Sequence, residues 1–312
     1  MPLKQLLALW QHPWLLGHRI ELHNALKKAA TTEEGEGIPV QLITASRVAD
    51  VDPKTAQITL KDGTKHEGDV VIGADGVHSF TRTKIPGGDV TPFGSGKSAF
   101  RFLVKKSAAV EDPITAPFVK DEGELIIWYA GDRRLVMYPT SDNTLLNFVC
   151  IHPESESSGE AGDSWDQQGS MDLLLNVYKD FDPAVLALLK KTSEEDIKVW
   201  KLLDMPVIPN WTNERLALLG DAAHPFLPHQ GQGGGIAIED AAALSVVLPR
   251  DTPKEEVPER LKLYQAIRKE RADRIQHYSR MAGEDVRDAE KVAKTSKFAH
   301  ISHLHTLQTH RH

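Results

Sequence analysis

The sequence predicts an α/β fold carrying an inserted β-rich sheet, and three observations predict it. Two short apolar runs, Asp69–Ala74 and Leu216–Leu219, each lead into a glycine followed within two residues by an aspartate. Unbroken apolar runs of this length are what strands covered on both faces look like. From Arg215 to Leu244 a strand, a polar turn, a glycine-rich stretch and a helical pattern then follow without interruption. Between the two strand–acid corners, from Pro92 onward, the texture changes to β-like runs rich in branched and aromatic residues. The expected organisation is a discontinuous ligand-binding domain (1–92 with 203–250), a β-sheet domain (93–202), and a C-terminal helical segment and tail (251–312).

Taken in order, the apolar opening MPLKQLLALWQHPWLLG is broken by His12, Pro13 and Trp14 and is followed by no small-residue cleavage site, so no signal peptide is expected. Arg19–Ala30 sets Ile20, His23, Leu26 and Ala30 at helical spacing. Pro39–Val48 and Ala56–Leu60 read as strands, and Asp62-Gly63 as a hairpin turn after the second. The inserted sheet is expected in the runs Phe100–Val104, Glu124–Ala130, Leu135–Tyr138 and Leu145–His152, with a turn at Gly131-Asp132. Pro153–Ser170 reads as an acidic loop, and Met171–Lys191 as a helix broken before Pro183. Trp200–Pro209 returns the chain to the first domain. Ala237–Leu244 is helical after the glycines, and Pro258–Arg280, dense in Arg and Glu, reads as a solvated helix.

With 312 residues and 40% hydrophobic content, the chain has enough material for real cores. A formal net charge of -7 argues against nucleic acid or anionic membrane as the main partner. No apolar run approaches the roughly 20 residues that span a bilayer, so no transmembrane segment is expected. The single cysteine, Cys150, excludes an intrachain disulfide and points to a reducing, cytoplasmic setting. The histidines of the last 13 residues lack cysteine or acidic companions, and no metal site is expected.

The candidate site residues follow from position. Asp221, at a strand's carboxyl end, can accept hydrogen bonds from sugar-like hydroxyls. Gly231, Gly233, Gly234 and Gly235 free the backbone of side chains, so amides can approach a flat or anionic ligand, and the helix behind them adds a partial positive charge. Asp75 and Gly76 stand at the other strand end, where a carboxylate and exposed donors can meet a phosphate or a ribose, although Asp-Gly alone also describes a plain turn. Arg101 and Tyr129, on runs taken as neighbours, can orient an aromatic carboxylate or phenolate. Their alternatives are a cross-strand surface arginine and an interfacial tyrosine.

Three motifs in order carry a resemblance. HRIELHNAL from His18, GADG-x-x-S-x-x-R from Gly73 to Arg82, and GDAAHP with Pro228, GQGGG and EDAAAL from Gly220 to Leu244 resemble those of the class A flavoprotein monooxygenases, the para-hydroxybenzoate and salicylate hydroxylase type. The resemblance implies that family's FAD/NAD(P)-binding fold with a sheet roofing the substrate pocket. It implies FAD held by Arg19, Asp75, Gly76, Asp221 and the glycines, with NADH or NADPH as electron donor. It implies that reduced flavin captures O2 and that the C4a-hydroperoxide hydroxylates a small, salicylate-like aromatic substrate. Arg101 and Tyr129 would then be catalytic, with Pro228 and His229 near the substrate.

The family's opening strand, G-x-G-x-x-G and helix have no counterpart here, since the first matched residue is Arg19. Such a βαβ unit is about 30 residues or more, and the chain as written is expected to bind FAD poorly. The apolar strand edges a missing unit would leave permit pairing with another copy as a homo-oligomer. Two readings stand at this point: a flavin monooxygenase, or a truncated non-catalytic member or incomplete gene model acting at most in protein association.

Overall fold

The computed structural model describes residues 15–35, 37–157 and 167–284. The expectations for the first residues and for the histidine-rich tail lie outside them. The chain divides into two compact units: residues up to Leu42 with Gly96–Leu202, and Ile43–Ser95 with Leu203–Glu284.

The first unit is built on a five-stranded sheet of order β6-β7-β8-β5-β9, from β5 (Phe93–Lys105), β6 (Ile126–Ala130), β7 (Arg133–Thr140), β8 (Leu145–Pro153) and β9 (Lys198–Asp204). The β6–β7 hairpin turns at Gly131, whose φ of 59° suits glycine. Alternation assigns the faces. Phe100, Phe102, Trp128, Leu135, Met137, Phe148 and Cys150 point into one apolar core. Helices α3 (Met171–Val177) and α4 (Pro183–Leu189) cover that core through Leu174, Val177, Leu188 and Leu189, and they break before Pro183 as expected. Asp182 caps the second of them, accepting from Ala184 N at 2.7 Å. A short helix, α2 (Lys106–Val110), follows β5.

Helix α1 (Arg19–Thr31) forms where expected but buries none of its residues. Its apolar positions Ile20, Leu22 and Leu26 are 62, 46 and 53% exposed. The strand expected at Pro39–Val48 does not form. Pro39 offers no donor, Ala45 turns left-handed at φ 55°, and Ile38, Val40, Leu42 and Ile43 face solvent.

The second unit contains an antiparallel sheet, β1 (Val48–Asp52), β2 (Gln57–Leu60) and β3 (Lys65–Glu67), with the hairpin at Asp62-Gly63. It also contains a sheet of order β10-β11-β4. There β11 (Leu216–Leu218), wholly buried, runs parallel to β4 (Val71–Gly73) and antiparallel to β10 (Thr212–Asn213). The parallel pairing Leu218↔Gly73 sets both strand-end aspartates at the same end of this sheet. Gly73 has to be glycine, because a Cβ there would lie 2.4 Å from Thr81 Cγ2.

Helix α5 (Gly233–Val247) begins earlier than expected, taking the three glycines into its first turn. Helix α6 (Val257–Ala282) is not the solvated helix its charge suggests. Val257, Leu261, Tyr264, Arg268, Ala272, Gln276 and Ser279 form a buried stripe at three- and four-residue spacing. Among the described residues, no helix is long and apolar enough to cross a membrane.

Candidate functional site

The polar corner of the second unit is assembled from inside outward. β11 delivers Gly220, at φ 60°, and the exposed Asp221 into a single turn of helix. Beneath that turn Asp240 of α5 is completely buried and accepts three hydrogen bonds. These come from Gly220 N at 3.1 Å, His224 Nε2 at 2.6 Å and Arg268 Nε at 2.9 Å. Arg268 also reaches Glu239 at 2.7 Å, and Glu239 holds Arg271 through two further bonds. His224 lies between the rings of Trp211 and Phe226.

Helix α6 holds the rest of the turn. Tyr264 Oη donates to Leu218 O at 3.0 Å, Gln276 Nε2 to Pro225 O at 3.0 Å, and Ser279 Oγ to Leu227 O. The Asp221 turn is therefore carried on a buried charged network. Sequence reasoning missed this network, although His224 and Asp240 stand inside the quoted motif. The signal for Arg268 was its place on the apolar stripe of α6, where an unpaired arginine would be costly.

The glycines that follow are open. Gly231 ends the Pro228–Gln230 turn at φ 63°, a conformation that favours glycine. Gly233 and Gly234 have ordinary backbone angles, and a Cβ added at either meets nothing within 4 Å. Neither packing nor backbone geometry within the chain explains their size. The first helical bond is donated by Ile236 N to Gln232 O at 2.9 Å, so the amides of Gly233, Gly234 and Gly235 precede the ladder. A surface that is side-chain-free, donor-rich and beside a carboxylate fits a flat, hydroxylated, anionic group such as FAD. His229 is half-buried, with its ring against Gly283, and Ile236 is fully buried.

At the other strand end the Asp75 carboxylate is used within its own loop. It accepts from Ser79 Oγ at 2.5 Å and from both Thr81 N and Thr81 Oγ1 at 2.9 Å. Those bonds hold its pKa below the usual carboxylate range although burial opposes them. Gly76, at φ 81°, leaves its backbone open. Arg82, the last residue of that motif, is buried and donates to Val77 O at 2.8 Å and Ala222 O at 3.0 Å, tying this loop to the Asp221 turn.

In the first unit Arg101 and Tyr129 project from the sheet face opposite the apolar core, but their strands are not neighbours. β7 and β8 lie between β6 and β5. The spacing of strands puts the two backbones about 14 Å apart. Arg101 stands over Trp200, 5.1 Å from the ring centroid, and Tyr129 takes Arg134, its cross-strand partner, at 5.4 Å. Burial lowers the pKa of the Arg101 guanidinium and the nearby Arg19 charge adds to the shift, while the Tyr138 phenol opposes it. Burial raises the Tyr129 phenol despite Arg134. Among the described residues no group of acids, histidines and cysteines could hold a metal.

The family model described as FAD binding domain matches residues 14–279. The FAD-dependent monooxygenase phomE' of Diaporthe leptostromiformis is 36% identical over 285 residues, covering 90% of this chain and 72% of its own length. The hispidin-3-hydroxylase of Neonothopanus nambi is 34% identical over 275 residues, covering 83% of this chain and 64% of its own length. The chain thus spans about two thirds of the length of these relatives. A solved salicylate hydroxylase substrate complex shares the fold with a TM-score of 0.69 and 24% identity, over 90% of this chain and 70% of that one.

Proposed function

The chain belongs to the FAD-binding-domain family of FAD-dependent monooxygenases, and from that membership we propose that it serves the hydroxylation of a small, salicylate-like aromatic substrate by O2, with NADH or NADPH as electron donor. The observation that carries the reading is the pairing of an exposed carboxylate, Asp221, with Gly233 and Gly234, whose lack of side chains nothing among the described residues explains. When bound, FAD supplies the redox and oxygen chemistry; the protein's part is binding, orientation and water exclusion.

In this assignment Asp221 accepts from the hydroxyls of the ribityl chain. The Gly231 turn and the amides of Gly233, Gly234 and Gly235 lie against the ring system, and Gly76 serves the more polar remainder of the cofactor. Asp75 acts through its loop, since its oxygens are already engaged there. Arg101 orients an anionic edge of the substrate. Its planar guanidinium can donate two parallel hydrogen bonds to a carboxylate, and Trp200 steadies it from behind. Tyr129 contributes a phenol that burial keeps protonated and therefore able to donate. Pro228 and His229 form the turn that leads into the glycines, and the substrate contact assigned to them stays part of this proposal. The fully buried Cys150 suits a reducing compartment, and the cytoplasm is the assigned location.

The test is flavin binding to the purified chain, followed by quenching of FAD fluorescence. Asp221→Ala removes one or two charge-assisted hydrogen bonds of about 1.5–3 kcal/mol each, which raises the dissociation constant by between about tenfold and about ten-thousandfold. An unchanged constant in the variant refutes the placement of the cofactor on Asp221.

A further inference from the structure

The sheet face that carries Arg101 and Tyr129 holds a second cation that the reading above does not use. Arg134 is 6% exposed. It stands over the Tyr129 ring at 5.4 Å, with no hydrogen bond or carboxylate partner among the described residues. Burial lowers the pKa of its guanidinium, and the groups that oppose this are the phenols of Tyr129 and Tyr178, with no acid among them. Arg101 is half-buried, against Trp200 and beside Tyr138, and likewise has no acid partner among the described residues.

The other two arginines buried among the described residues each have acceptors: Arg82 two carbonyls, although its Nε has none, and Arg268 the carboxylates of Asp240 and Glu239. A buried guanidinium without an acceptor is expensive to maintain, and Arg134 shares its face with a second, half-buried arginine that also lacks one.

Register fixes how the two cations stand. Arg134 faces Ile151, whereas Val136 pairs with Val149, and Val149 pairs with Arg101. The two arginines are thus two strands and two residues apart, about 12 Å between their Cα atoms by standard sheet spacings. Val136 and Val149 form an apolar floor between them. An apolar floor with a cation–aromatic pair at each end matches a flat ring bearing an acidic oxygen on each of two opposite edges.

We propose that Arg134, backed by Tyr129, is a second anion-binding position on this sheet. It takes the carboxylate or phenolate of an aromatic acid whose opposite edge is held by Arg101. This rests on the reading of the same face as the substrate surface, and it adds a residue and a narrower ligand class to it.

The experiment uses the full chain without flavin, so that a failure of the cofactor assignment leaves it readable. Binding of 4-fluorobenzoate and of neutral 4-fluorobenzamide is followed by 19F NMR for the parent, Arg134→Met, Arg134→Lys and Arg101→Met, with a thermal melt of each. Arg134→Met is expected to weaken benzoate by about tenfold or more and to leave benzamide unchanged. It should also melt above the parent, because it relieves an uncompensated charge. Arg134→Lys should lose several-fold in benzoate affinity while keeping the fold, since the fork is lost and the charge is kept. Three results overturn the proposal: benzoate bound equally by the parent and either Arg134 variant, a parent that binds no benzoate, or an Arg134→Met protein that melts lower with its benzoate affinity intact. Loss in Arg101→Met with no loss in the Arg134 variants would uphold the reading of the face and reject Arg134.

Discussion

Asp240→Asn is the substitution on which the account of the second unit depends most. The change keeps the shape of the side chain and removes its charge, inside a network that is entirely out of solvent at Asp240 and 6% exposed at Arg268. Three donors converge on the carboxylate, and an amide offers one oxygen, so one of its two acceptor atoms becomes a donor facing another donor. Breaking one partner of a buried ion pair costs about 3–5 kcal/mol. Glu239, still 2.7 Å from Arg268, holds the loss toward the lower end. About 3 kcal/mol in a unit of this size corresponds to a fall in melting temperature on the order of 10 °C. Urea and thermal unfolding of the parent, Asp240→Asn, Arg268→Met and the double variant give the coupling directly. It should be 0.5 kcal/mol or more in favour of the native pair, within the usual range of roughly 0.5–3 kcal/mol for groups in contact. A single-variant loss below about 1 kcal/mol with no coupling would mean that the network is a bystander and that the Asp221 turn is held by packing alone.

Two further outcomes follow from other parts of the chain. Gly234→Ala places its Cβ in open space on ordinary helical backbone. Stability should therefore hold or rise by up to about 1 kcal/mol, while flavin affinity falls; destabilisation would show that the glycine serves the fold. Burial holds the His152 imidazole down to about 4, against 6.5 when free. The native state thus binds fewer protons than the unfolded chain between those values, and stability present above pH 6.5 is lost as pH falls toward 4. The loss attributable to this group is about 3 kcal/mol. The difference between parent and His152→Gln in urea unfolding across that window isolates it from the carboxylates, and parallel pH profiles would remove His152 as the cause.

What was legible in the sequence was whatever follows from local pattern. The buried strand before Asp221, the break before Pro183 and the Asp62-Gly63 hairpin each rest on a few consecutive residues whose chemistry permits little else. Motif order added the family, because three short signatures in sequence constrain far more than any one of them. What stayed hidden was set by pairing at a distance. Nothing local says that β5 lies beside β8 and not β6, so Arg101 and Tyr129 looked adjacent when two strands part them. Arg134 went unnoticed for the same reason, since only cross-strand register brings it to Tyr129. The charge density of α6 suggested solvent, yet the residues on its three- and four-residue stripe, Arg268 and Gln276 included, are the ones that bury.

The residues left unexplained by stability share a property that bears on function. Gly233 and Gly234 forgo side chains where side chains would fit. Arg134 is buried and Arg101 half-buried, and neither has an acceptor among the described residues. The apolar positions of α1 and of Ile38 to Ile43 stand in solvent, outside the two apolar cores. The first two are local violations of the rules that the same chain obeys elsewhere, as Arg82, Arg268 and Gly73 show. Violations of that kind concentrate at sites whose complement is a ligand. The glycines lack bulk and offer donors, and the arginines lack anions. Under the proposed assignments they answer a flat, hydroxylated and anionic partner at the Asp221 turn, and an aromatic, acidic one on the face of the five-stranded sheet.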